Sequence, residues 1–358
     1  MAIEVSPTQH PASTEQVAQI LAAPGFGKHF TDHMFVAEWT PEHGWHDARV
    51  TAYAPLSLDP ATAALHYAQE IFEGLKAYRH ADGSVWTFRP EANAARMQRS
   101  AERLALPELP EGDFVAAVDA LVATDQRWVP DPAGEKSLYV RPFMFASEVF
   151  LGVRPAQHVT FLVIASPAGA YFKGGVTPVS IWLSEEFTRA GRGGMGAAKT
   201  GGNYASSLVA QAEAIDHGCD QVAFLDAAEG NYVEELGGMN LYFVHDGGTI
   251  VTPELSGTIL EGITRSSIIE LCGKLGYQVE ERRFSVDEWR DGVASGAITE
   301  VFACGTAAVV TPVGTLKWRG GEVAGRGTGE LTMQIRDALV DVQYGRAEDT
   351  FGWMHQVC

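Results

Sequence analysis

The sequence predicts an α/β protein of mixed α+β character with two domains, and three observations support this prediction. The chain has 358 residues, 46% of them hydrophobic and 20% charged, so it is long enough to bury two cores. Stretches with helical spacing alternate with short apolar runs of strand length. Because some of these runs are joined by hairpin-length connections and others by helices, we expect sheets that are not purely parallel.

In the N-terminal half, strand and helix signals follow an irregular start of about 45 residues. Residues 48–60 alternate as a strand does and end in a turn signal. Residues 61–78 contain good helix formers and predict a helix that ends near Gly74, before a hairpin at Asp82-Gly83. The next predicted elements are helices at 90–106, with proline in its first turn, and 111–129, and apolar strands at 137–145 and 158–166.

A Gly- and Pro-rich connection at 167–178 separates the two halves of the chain. We therefore predict an N-terminal α/β domain at 1–170, a linker at 171–183 and a C-terminal α/β domain at 184–358. Beyond the connection, short strands and helices are mixed. The predicted strands are 179–183, 221–226, 231–236, 240–247 and 249–254, and the predicted helices are 203–218, 264–276 and 285–296.

Charge and cysteine usage narrow the class of function. The net charge is -19 with no Lys/Arg-rich run, so nucleic acid and anionic membranes are not expected partners. The four cysteines are widely spaced and fit neither a metal site nor a disulfide framework, which is typical of reduced thiols. The first residues resemble no signal peptide, and the longest apolar runs are of strand length. We expect a soluble, cytoplasmic protein.

Lys199 lies between two clusters of small residues, in the segment GGMGAAKTGGNYASSL at 193–208. A solvated lysine on a glycine loop is the ordinary interpretation. The segment does not match a phosphate loop, because Ala198 precedes the lysine where that motif has glycine. GRGGMG at 191–196 has dinucleotide-motif spacing but follows a polar stretch in place of a buried strand. The remaining hypothesis is covalent catalysis, in which a shielded lysine amine condenses with a carbonyl.

A pyridoxal-phosphate site needs an acid for the pyridine nitrogen and donors for the phosphate. Glu234 and Glu235 follow a predicted strand and precede glycines, so either carboxylate could serve the ring nitrogen. Residues 262–264 open a predicted helix, where free amides favour a phosphate. Thr306, in a turn of small residues, and Arg89, ahead of a Pro-started helix, are further phosphate candidates.

Taken together, these segments resemble the branched-chain amino acid aminotransferases. The likeness extends in order over nearly the whole chain. The segments that carry it are FEGLKAYR (72–79), FRPEANAARMQRSAERL (88–104), SLYVRPFMF (137–145), KTGGNYASSL (199–208), EELGGMN (234–240), LEGITRSSI (260–268) and CGTAA (304–308). The resemblance implies fold type IV, with a small N-terminal domain, a large cofactor-binding domain and an active site at their interface.

The resemblance also implies a cofactor and a role for single residues. Lys199 is the expected Schiff-base lysine of pyridoxal 5'-phosphate and moves the proton of a ping-pong transamination. Glu235 is the expected partner of the pyridine nitrogen, because it directly precedes Leu-Gly-Gly-Met-Asn. Tyr204 is expected at the ring hydroxyl. The expected phosphate ligands are Arg89, Ile263, Thr264 and Thr306, with Arg189 assisting.

The implied substrates are L-leucine, L-isoleucine and L-valine, with 2-oxoglutarate as the acceptor that becomes glutamate. An apolar pocket selects such side chains, because each gains about 1.5 to 3 kcal/mol when it is buried. Arg141 is expected to bind the side-chain carboxylate of glutamate. The expected substrate-binding residues are Phe30, Tyr67, Phe72, Tyr139, Arg141, Tyr171, Thr306 and Ala307. The family also implies a homodimer, in which Leu151 and Val153 reach the neighbouring site, and a role in branched-chain amino-acid biosynthesis.

Two departures from the family pattern stand out. Mammalian members carry a redox-active C-x-x-C where this chain has Ala308 and Thr311, so no thiol switch is expected. Gly238 replaces a threonine of several relatives and removes a hydroxyl near the cofactor ring.

Other functions stay open at this point. Within the fold, a D-amino acid aminotransferase or an aminodeoxychorismate lyase would share Lys199 and Glu235, and a non-catalytic cofactor-binding protein is a further alternative. A metal enzyme would instead use the histidines near the N-terminus, although their spacing offers no third ligand. These histidines are His29, His33, His43 and His46.

Overall fold

The computed structural model describes residues 1–169 and 175–358. Its helices, in chain order, are α1 Thr14–Ala22, α2 Ala63–Tyr67, α3 Pro90–Arg103, α4 Glu111–Thr124, α5 Gly201–Asp216, α6 Ile263–Leu275, α7 Val286–Ser295 and α8 Glu330–Gln343. Its strands are β1 Glu4–Val5, β2 His33–Thr40, β3 Gly44–Ala52, β4 Glu70–Phe72, β5 Leu75–Arg79, β6 Val85–Phe88, β7 Ser137–Ala146, β8 Val159–Ala168, β9 Val179–Ser184, β10 Gln221–Leu225, β11 Val233–Leu236, β12 Asn240–His245, β13 Ile250–Pro253, β14 Val279–Arg282, β15 Ile298–Gly305, β16 Val309–Trp318, β17 Gly321–Ala324 and β18 Met354–Gln356.

The described chain divides into two compact units that are not continuous in sequence. The first unit contains residues 1–169, Ala198–Gly201 and Asp341–Cys358, and the second contains residues 175–197 and Gly202–Val340. Lys199 therefore belongs to the first unit. The domain boundaries at 170, 171–183 and 184 stay a prediction, although β9, Val179–Ser184, begins inside the predicted linker and ends at the first residue of the predicted C-terminal domain.

The first unit is built on a mixed sheet with the order β1-β3-β2-β8-β7-β5-β6-β18, and β4 pairs with β7 beside this path. Most neighbours are antiparallel, whereas β1 and β3 are parallel. Helices α3 and α4 cover its apolar core, and Phe114 and Met97 are buried there among strand residues such as Phe161.

The second unit has a sheet with the order β11-β10-β9-β16-β15-β12-β13-β14, and β17 pairs with β16. Parallel pairs such as β9 with β10 occur beside antiparallel pairs such as β12 with β15. The prediction of sheets that are not purely parallel is confirmed.

The structure confirms the predicted starts of helices α3 and α7 and the predicted hairpin between β5 and β6. Helix α3 begins at Pro90 directly after β6, as the Arg-Pro sequence indicated. Helix α7 begins behind Ser285, whose hydroxyl accepts a hydrogen bond from the Glu288 amide at 3.0 Å, and ends at Gly296 in the left-handed conformation. Gly83 has a φ of 91° in the β5–β6 hairpin.

The predicted helix at 61–78 is wrong for most of its length. Only Ala63–Tyr67 are helical, and Ala68 ends the helix with a φ of 50°. The following residues form β4 and β5, which both pair with β7 and bury Ile71 and Ala77 completely. Helix propensity is a weak preference, and the burial gained by pairing with a central strand outweighs it here.

Candidate active site

The segment that carries Lys199 is fixed by backbone hydrogen bonds on both sides of the residue. The Lys199 amide donates to the Ser100 hydroxyl on α3 at 3.0 Å. The Phe72 amide on β4 donates to the Lys199 carbonyl, also at 3.0 Å. The amine Nζ lies 4.8 Å from the centre of the Phe72 ring. The half-buried lysine is thus held against an aromatic face, which suits an amine that must keep its position during a reaction.

A buried carboxylate, Glu73, lies in the electrostatic surroundings of Lys199. Glu73 is fully buried and binds Arg96 through Nε at 2.8 Å and Nη2 at 2.7 Å, while Asn93 donates to it at 2.7 Å. Burial raises the pKa of Glu73, but the charge and hydrogen bonds of Arg96 and the charge of Lys199 bring that pKa below its usual value. Glu73 therefore stays ionised and contributes a fixed negative charge in the surroundings of Lys199.

Three of the predicted substrate residues come together beside Lys199 in the first unit. Arg141 donates to the Tyr139 hydroxyl at 3.0 Å, and its guanidinium carbon lies 4.7 Å from the centre of the Phe72 ring. The Arg141 Nε is buried and has no hydrogen-bond partner among the described residues. A half-buried guanidinium with a buried, unused Nε donor beside two aromatic rings can bind a carboxylate on an otherwise apolar ligand.

The structure places the other predicted substrate residues of the first unit in different surroundings. Phe30 stacks on Tyr53 with a centroid distance of 5.1 Å. Tyr67, at the end of α2, is exposed and donates to the Leu151 carbonyl. Tyr171 lies outside the described residues.

Arg89 occupies the N-cap position of α3 in the left-handed conformation, with a φ of 49°. A positive φ is uncommon for a residue with a side chain, and such residues cluster at functional sites. The Arg89 amide donates to the Trp353 carbonyl at 2.8 Å, and the guanidinium carbon lies 5.6 Å from the centre of the Trp353 ring. Trp353, directly before β18, thus fixes the backbone from which this arginine extends.

In the second unit, Glu235 lies near the end of β11 with only 3% of its surface exposed. Arg189 donates to its carboxylate, and the Leu260 amide donates to the same oxygen, Oε1, at 2.9 Å. Asn240 approaches the other oxygen at 3.4 Å. Arg189, Leu260 and Asn240 all favour the ionised carboxylate. Arg189, which the resemblance implied at the phosphate, binds Glu235 in this structure.

The neighbouring Glu234 has different partners. It accepts a hydrogen bond from the Thr258 hydroxyl through Oε1, whereas Oε2 is buried and has no partner among the described residues. Burial raises the pKa of Glu234. Of the two glutamates, Glu235 is the one that accepts hydrogen bonds from an arginine side chain and a backbone amide.

Tyr204 on α5 lies close to the glycine turn that follows Glu235. A Cβ atom added to Gly238 would lie 3.7 Å from Tyr204 Cε1, which is an ordinary contact distance. The glycine that departs from several relatives therefore lies beside the predicted cofactor tyrosine.

The first turn of α6 has the features of a phosphate site. Ile263 and Thr264 are its first residues, and Gly262 precedes them with extended dihedrals and no side-chain cap. A Cβ atom at Gly262 would collide with the Asn240 side chain, so glycine is required there by close approach. The helix opens with uncapped amides, which fits a bound phosphate. Thr306, the further phosphate candidate, lies between β15 and β16.

The described residues do not favour the metal-enzyme alternative, which would use the histidines near the N-terminus. No cluster of three or more histidine, cysteine, aspartate or glutamate residues that could hold a metal occurs in residues 1–169 and 175–358. His33 binds Asp125 through Nδ1 at 2.7 Å and accepts from the Thr8 amide through Nε2 at 2.9 Å.

All four cysteines are free thiols, and burial raises the pKa of Cys272 and Cys304 to about 12. Among the helices described, none has the length and apolar character needed to cross a bilayer.

Sequence reasoning missed Glu73, Arg96 and Asn93, although all three lie in the quoted motifs. The signal was present in part, because Asn93 and Arg96 are three residues apart on one helix and so share a face. The contact between that helix face and Glu73 depends on β4, which ends directly before Glu73. The sequence predicts helix for this stretch, so the contact could not be predicted.

A model of the family described as amino-transferase class IV matches residues 70–316. The chain is 63% identical to the probable branched-chain-amino-acid aminotransferase of Streptomyces coelicolor, over 99% of this chain and 98% of that protein. It is 58% identical to the branched-chain-amino-acid aminotransferase of Mycolicibacterium smegmatis, over 98% and 96%.

Solved structures with a similar fold carry the same name. The branched-chain amino acid aminotransferase of Escherichia coli is 29% identical with a TM-score of 0.77, and the match covers 91% of this chain and 99% of that one. The branched-chain amino acid aminotransferase from Thermobaculum terrenum, in its PLP-form, is 25% identical with a TM-score of 0.73, over 91% and 98%.

Proposed function

The chain belongs to the class IV aminotransferase family, and on that basis we propose that it is a branched-chain-amino-acid aminotransferase. It transfers the amino group of L-leucine, L-isoleucine or L-valine to 2-oxoglutarate, and releases a branched-chain 2-oxo acid and L-glutamate. The observation that carries the proposal is the setting of Lys199, held by Phe72 and Ser100 with Arg141 beside the same aromatic ring.

The residues present fit pyridoxal 5'-phosphate as the cofactor. Lys199 would hold it covalently, Glu235 would bind the pyridine nitrogen and Tyr204 the ring hydroxyl. The phosphate would be held by Arg89, Ile263, Thr264 and Thr306. When bound, the cofactor supplies an electron sink for the negative charge that develops at the substrate α-carbon.

The protein's own groups perform the proton transfers. With the cofactor bound, the free Lys199 amine would take the proton from the substrate α-carbon and would deliver it to the cofactor carbon that is bonded to the substrate nitrogen. Glu235, whose carboxylate accepts hydrogen bonds from Arg189 and the Leu260 amide, would pair with a protonated pyridine nitrogen. Each half-reaction uses the same groups in turn, as a ping-pong mechanism requires.

Substrate choice is assigned to the cluster of Phe72, Tyr139 and Arg141. The two rings favour apolar side chains, and the half-buried Arg141 guanidinium pairs with the side-chain carboxylate of glutamate or 2-oxoglutarate. A single pocket can thus accept both partners of the reaction in sequence.

We also propose a homodimer in which Leu151 and Val153 reach the neighbouring active site. Both side chains are well exposed on the single chain, Leu151 to 62% and Val153 to 88%. Exposed apolar side chains of this size in one segment are typical of a contact surface. A cytoplasmic location and a use in branched-chain amino-acid biosynthesis are part of the same proposal, supported by the free thiols and the named relatives.

The test is a visible absorption spectrum of the purified protein, recorded before and after addition of L-leucine. We expect an absorption band that leucine bleaches and 2-oxoglutarate restores. Lys199→Ala should lose the band, while Lys274→Ala, which changes an exposed lysine on α6, should keep it. A band that ignores leucine but responds to a D-amino acid would replace the substrate assignment, and no band after cofactor addition would overturn the proposal.

A further inference from the structure

Glu70, on β4, contacts the chain directly after Lys199 although it lies about 130 residues away in sequence. Its Oε1 accepts a hydrogen bond from the Gly201 amide and another from the Thr200 hydroxyl, the latter at 3.2 Å. Gly201 is the first residue of α5, so the Glu70 carboxylate satisfies one of the free amides that open this helix. Carboxylates are favoured at that position by the helix dipole as well.

The absence of a side chain at Gly201 is part of this contact. A Cβ atom on Gly201 would lie against Glu70 Oε1 and 3.3 Å from the carboxyl carbon, so one of the two groups would have to move. Gly201 does not have a positive φ, and its glycine is therefore explained by the approach of the carboxylate.

The contact completes the fixation of the lysine segment. Ser100 holds the Lys199 amide, Phe72 holds the Lys199 carbonyl, and Glu70 holds the next two residues. Phe72 and Glu70 belong to the same strand, β4, so one short strand holds both the lysine and the start of the helix behind it.

Glu70 is also within the electrostatic reach of Arg141. Burial raises the pKa of Glu70, and the Gly201 amide, the Thr200 hydroxyl and the Arg141 charge act in the opposite direction. The same carboxylate thus interacts with the arginine assigned to the substrate and with the segment that carries the lysine.

We propose that Glu70 is a positioning residue, which fixes the position of Lys199 by holding Thr200 and the first amide of α5. This inference rests on the proposed function only in taking Lys199 as the lysine that bonds to the cofactor. Glu70 itself exchanges no proton with the substrate; it acts through the backbone on which Lys199 is carried.

The test is a double-mutant cycle in the cofactor-loaded enzyme, with Glu70→Ala, Gly201→Ala and the combined variant. Glu70→Ala should lower kcat at least roughly tenfold, since a shift of about 1 Å in a reacting group can cost on the order of 100-fold. It should change KM for leucine less, and it should shift the pH at which the absorption band of the lysine-bound cofactor changes. Gly201→Ala should have similar effects because its methyl group displaces the carboxylate.

The combined variant separates a direct contact from two independent defects. If the methyl group acts by displacing Glu70, it costs little once Glu70 is absent, and the two effects are strongly non-additive in kcat and in thermal midpoint. Glu70→Gln, which keeps an oxygen acceptor, should recover most of the kcat. Glu42→Ala, which removes an exposed glutamate, is the control and should behave as the unchanged enzyme.

Additive effects, or a Glu70→Ala enzyme with unchanged kcat and unchanged band titration, would overturn the inference while the proposed function stands. If Glu70→Ala does not fold, the same cycle with Glu70→Ser, whose shorter polar side chain no longer reaches the Gly201 amide, and Gly201→Ala decides the question. A parent protein without a cofactor band would overturn the proposed function, and non-additive thermal midpoints would still support the contact between Glu70 and Gly201.

Discussion

At the scale of single residues, Glu235 and Glu234 are adjacent glutamates with unlike surroundings. Glu235 binds Arg189 and the Leu260 amide, whereas Glu234 binds the Thr258 hydroxyl. We predict that Glu235→Ala lowers kcat by about 100-fold or more, since loss of one preorganised charged contact costs on the order of 100- to 1000-fold. Cofactor affinity should fall much less, because the covalent bond and the phosphate contacts remain.

Glu234→Gln is the matched control for this prediction. Glu234 accepts a hydrogen bond from the Thr258 hydroxyl, and the amide oxygen of glutamine can accept the same bond, so turnover should stay near that of the parent enzyme. Steady-state kinetics and cofactor titration of both variants provide the measurement. Equal losses of kcat in the two variants would mean that neither glutamate is the specific partner of the pyridine nitrogen.

Lys199, the Glu234-Glu235 pair and the start of α6 could be named as site candidates from the sequence, because each lies in a short motif, and their roles stay predictions. Glu73 and Glu70 could not be predicted in this way. Their partners, Arg96 and Gly201, are brought to them only by the pairing of β4 with β7. Tertiary contacts decide which charged residues form a buried ion pair, whereas a local sequence pattern shows at most one residue of the pair.

At the scale of elements, the turn between β4 and β5 depends on Gly74. A Cβ atom at Gly74 would collide with the Tyr139 hydroxyl on β7, so the strands can approach this closely only with glycine. We predict that Gly74→Ala destabilises the protein by about 1–3 kcal/mol, the usual cost of overpacking. Tyr139→Phe removes the obstructing oxygen, so the double variant should recover part of the loss in urea unfolding. No recovery would place the strain elsewhere.

The same region explains why element prediction succeeded unevenly. The helices with clear start and stop signals, such as α3 and α7, occur where they were predicted. The predicted helix at 61–78 rested on helix formers between Pro60 and Gly74, but beyond the short helix Ala63–Tyr67 the chain forms β4 and β5, because both strands find a partner in β7. Local sequence signals predict the ends of helices well. Whether an ambiguous stretch forms helix or strand is decided by the burial that it gains between neighbouring strands.

Asp32 connects the segment before β2 to the 3-10 turn at Gln126–Trp128. Its Oδ2 accepts from Arg127 and from the Trp128 ring nitrogen, both at 2.6 Å, and Oδ1 accepts from the Ala12 amide at 2.8 Å. Burial acts to raise the pKa of Asp32, but these hydrogen bonds and the Arg127 charge together lower it. The charged form therefore stabilises the folded protein.

The sign of the resulting pH dependence follows from the lowered pKa. The contribution of Asp32 is present above the unfolded value of about 4 and is lost as the pH falls through the lower folded value. Asp32→Asn should cost about 1–3 kcal/mol at pH 7, and the difference should shrink toward pH 3. Urea unfolding of the parent, this variant and the exposed control Glu42→Gln gives the comparison; a constant difference at both pH values would contradict the prediction.

At the scale of the whole molecule, a net charge of -19 disfavours close approach of two copies unless an apolar surface compensates. The first unit offers such a surface on α2 and on residues 149–153, which contact each other through Tyr67 and the Leu151 carbonyl. Its exposed apolar side chains are Leu65, Tyr67, Val149, Leu151 and Val153. We call these five residues the apolar surface.

We predict that the parent protein sediments as a dimer and that Leu151→Asp combined with Val153→Asp converts it to a monomer. Two buried carboxylates on each side of a symmetric contact are not compensated, and each interface residue of a twofold dimer occurs twice. Because Leu151 and Val153 are proposed to reach the neighbouring active site, kcat should fall together with the dimer fraction as the protein is diluted.

Leu255→Asp, at an exposed leucine of the second unit, is the control and should leave both the sedimentation and kcat unchanged. A fully active monomer would separate catalysis from assembly, and a dimer that survives both substitutions would place the contact on another face.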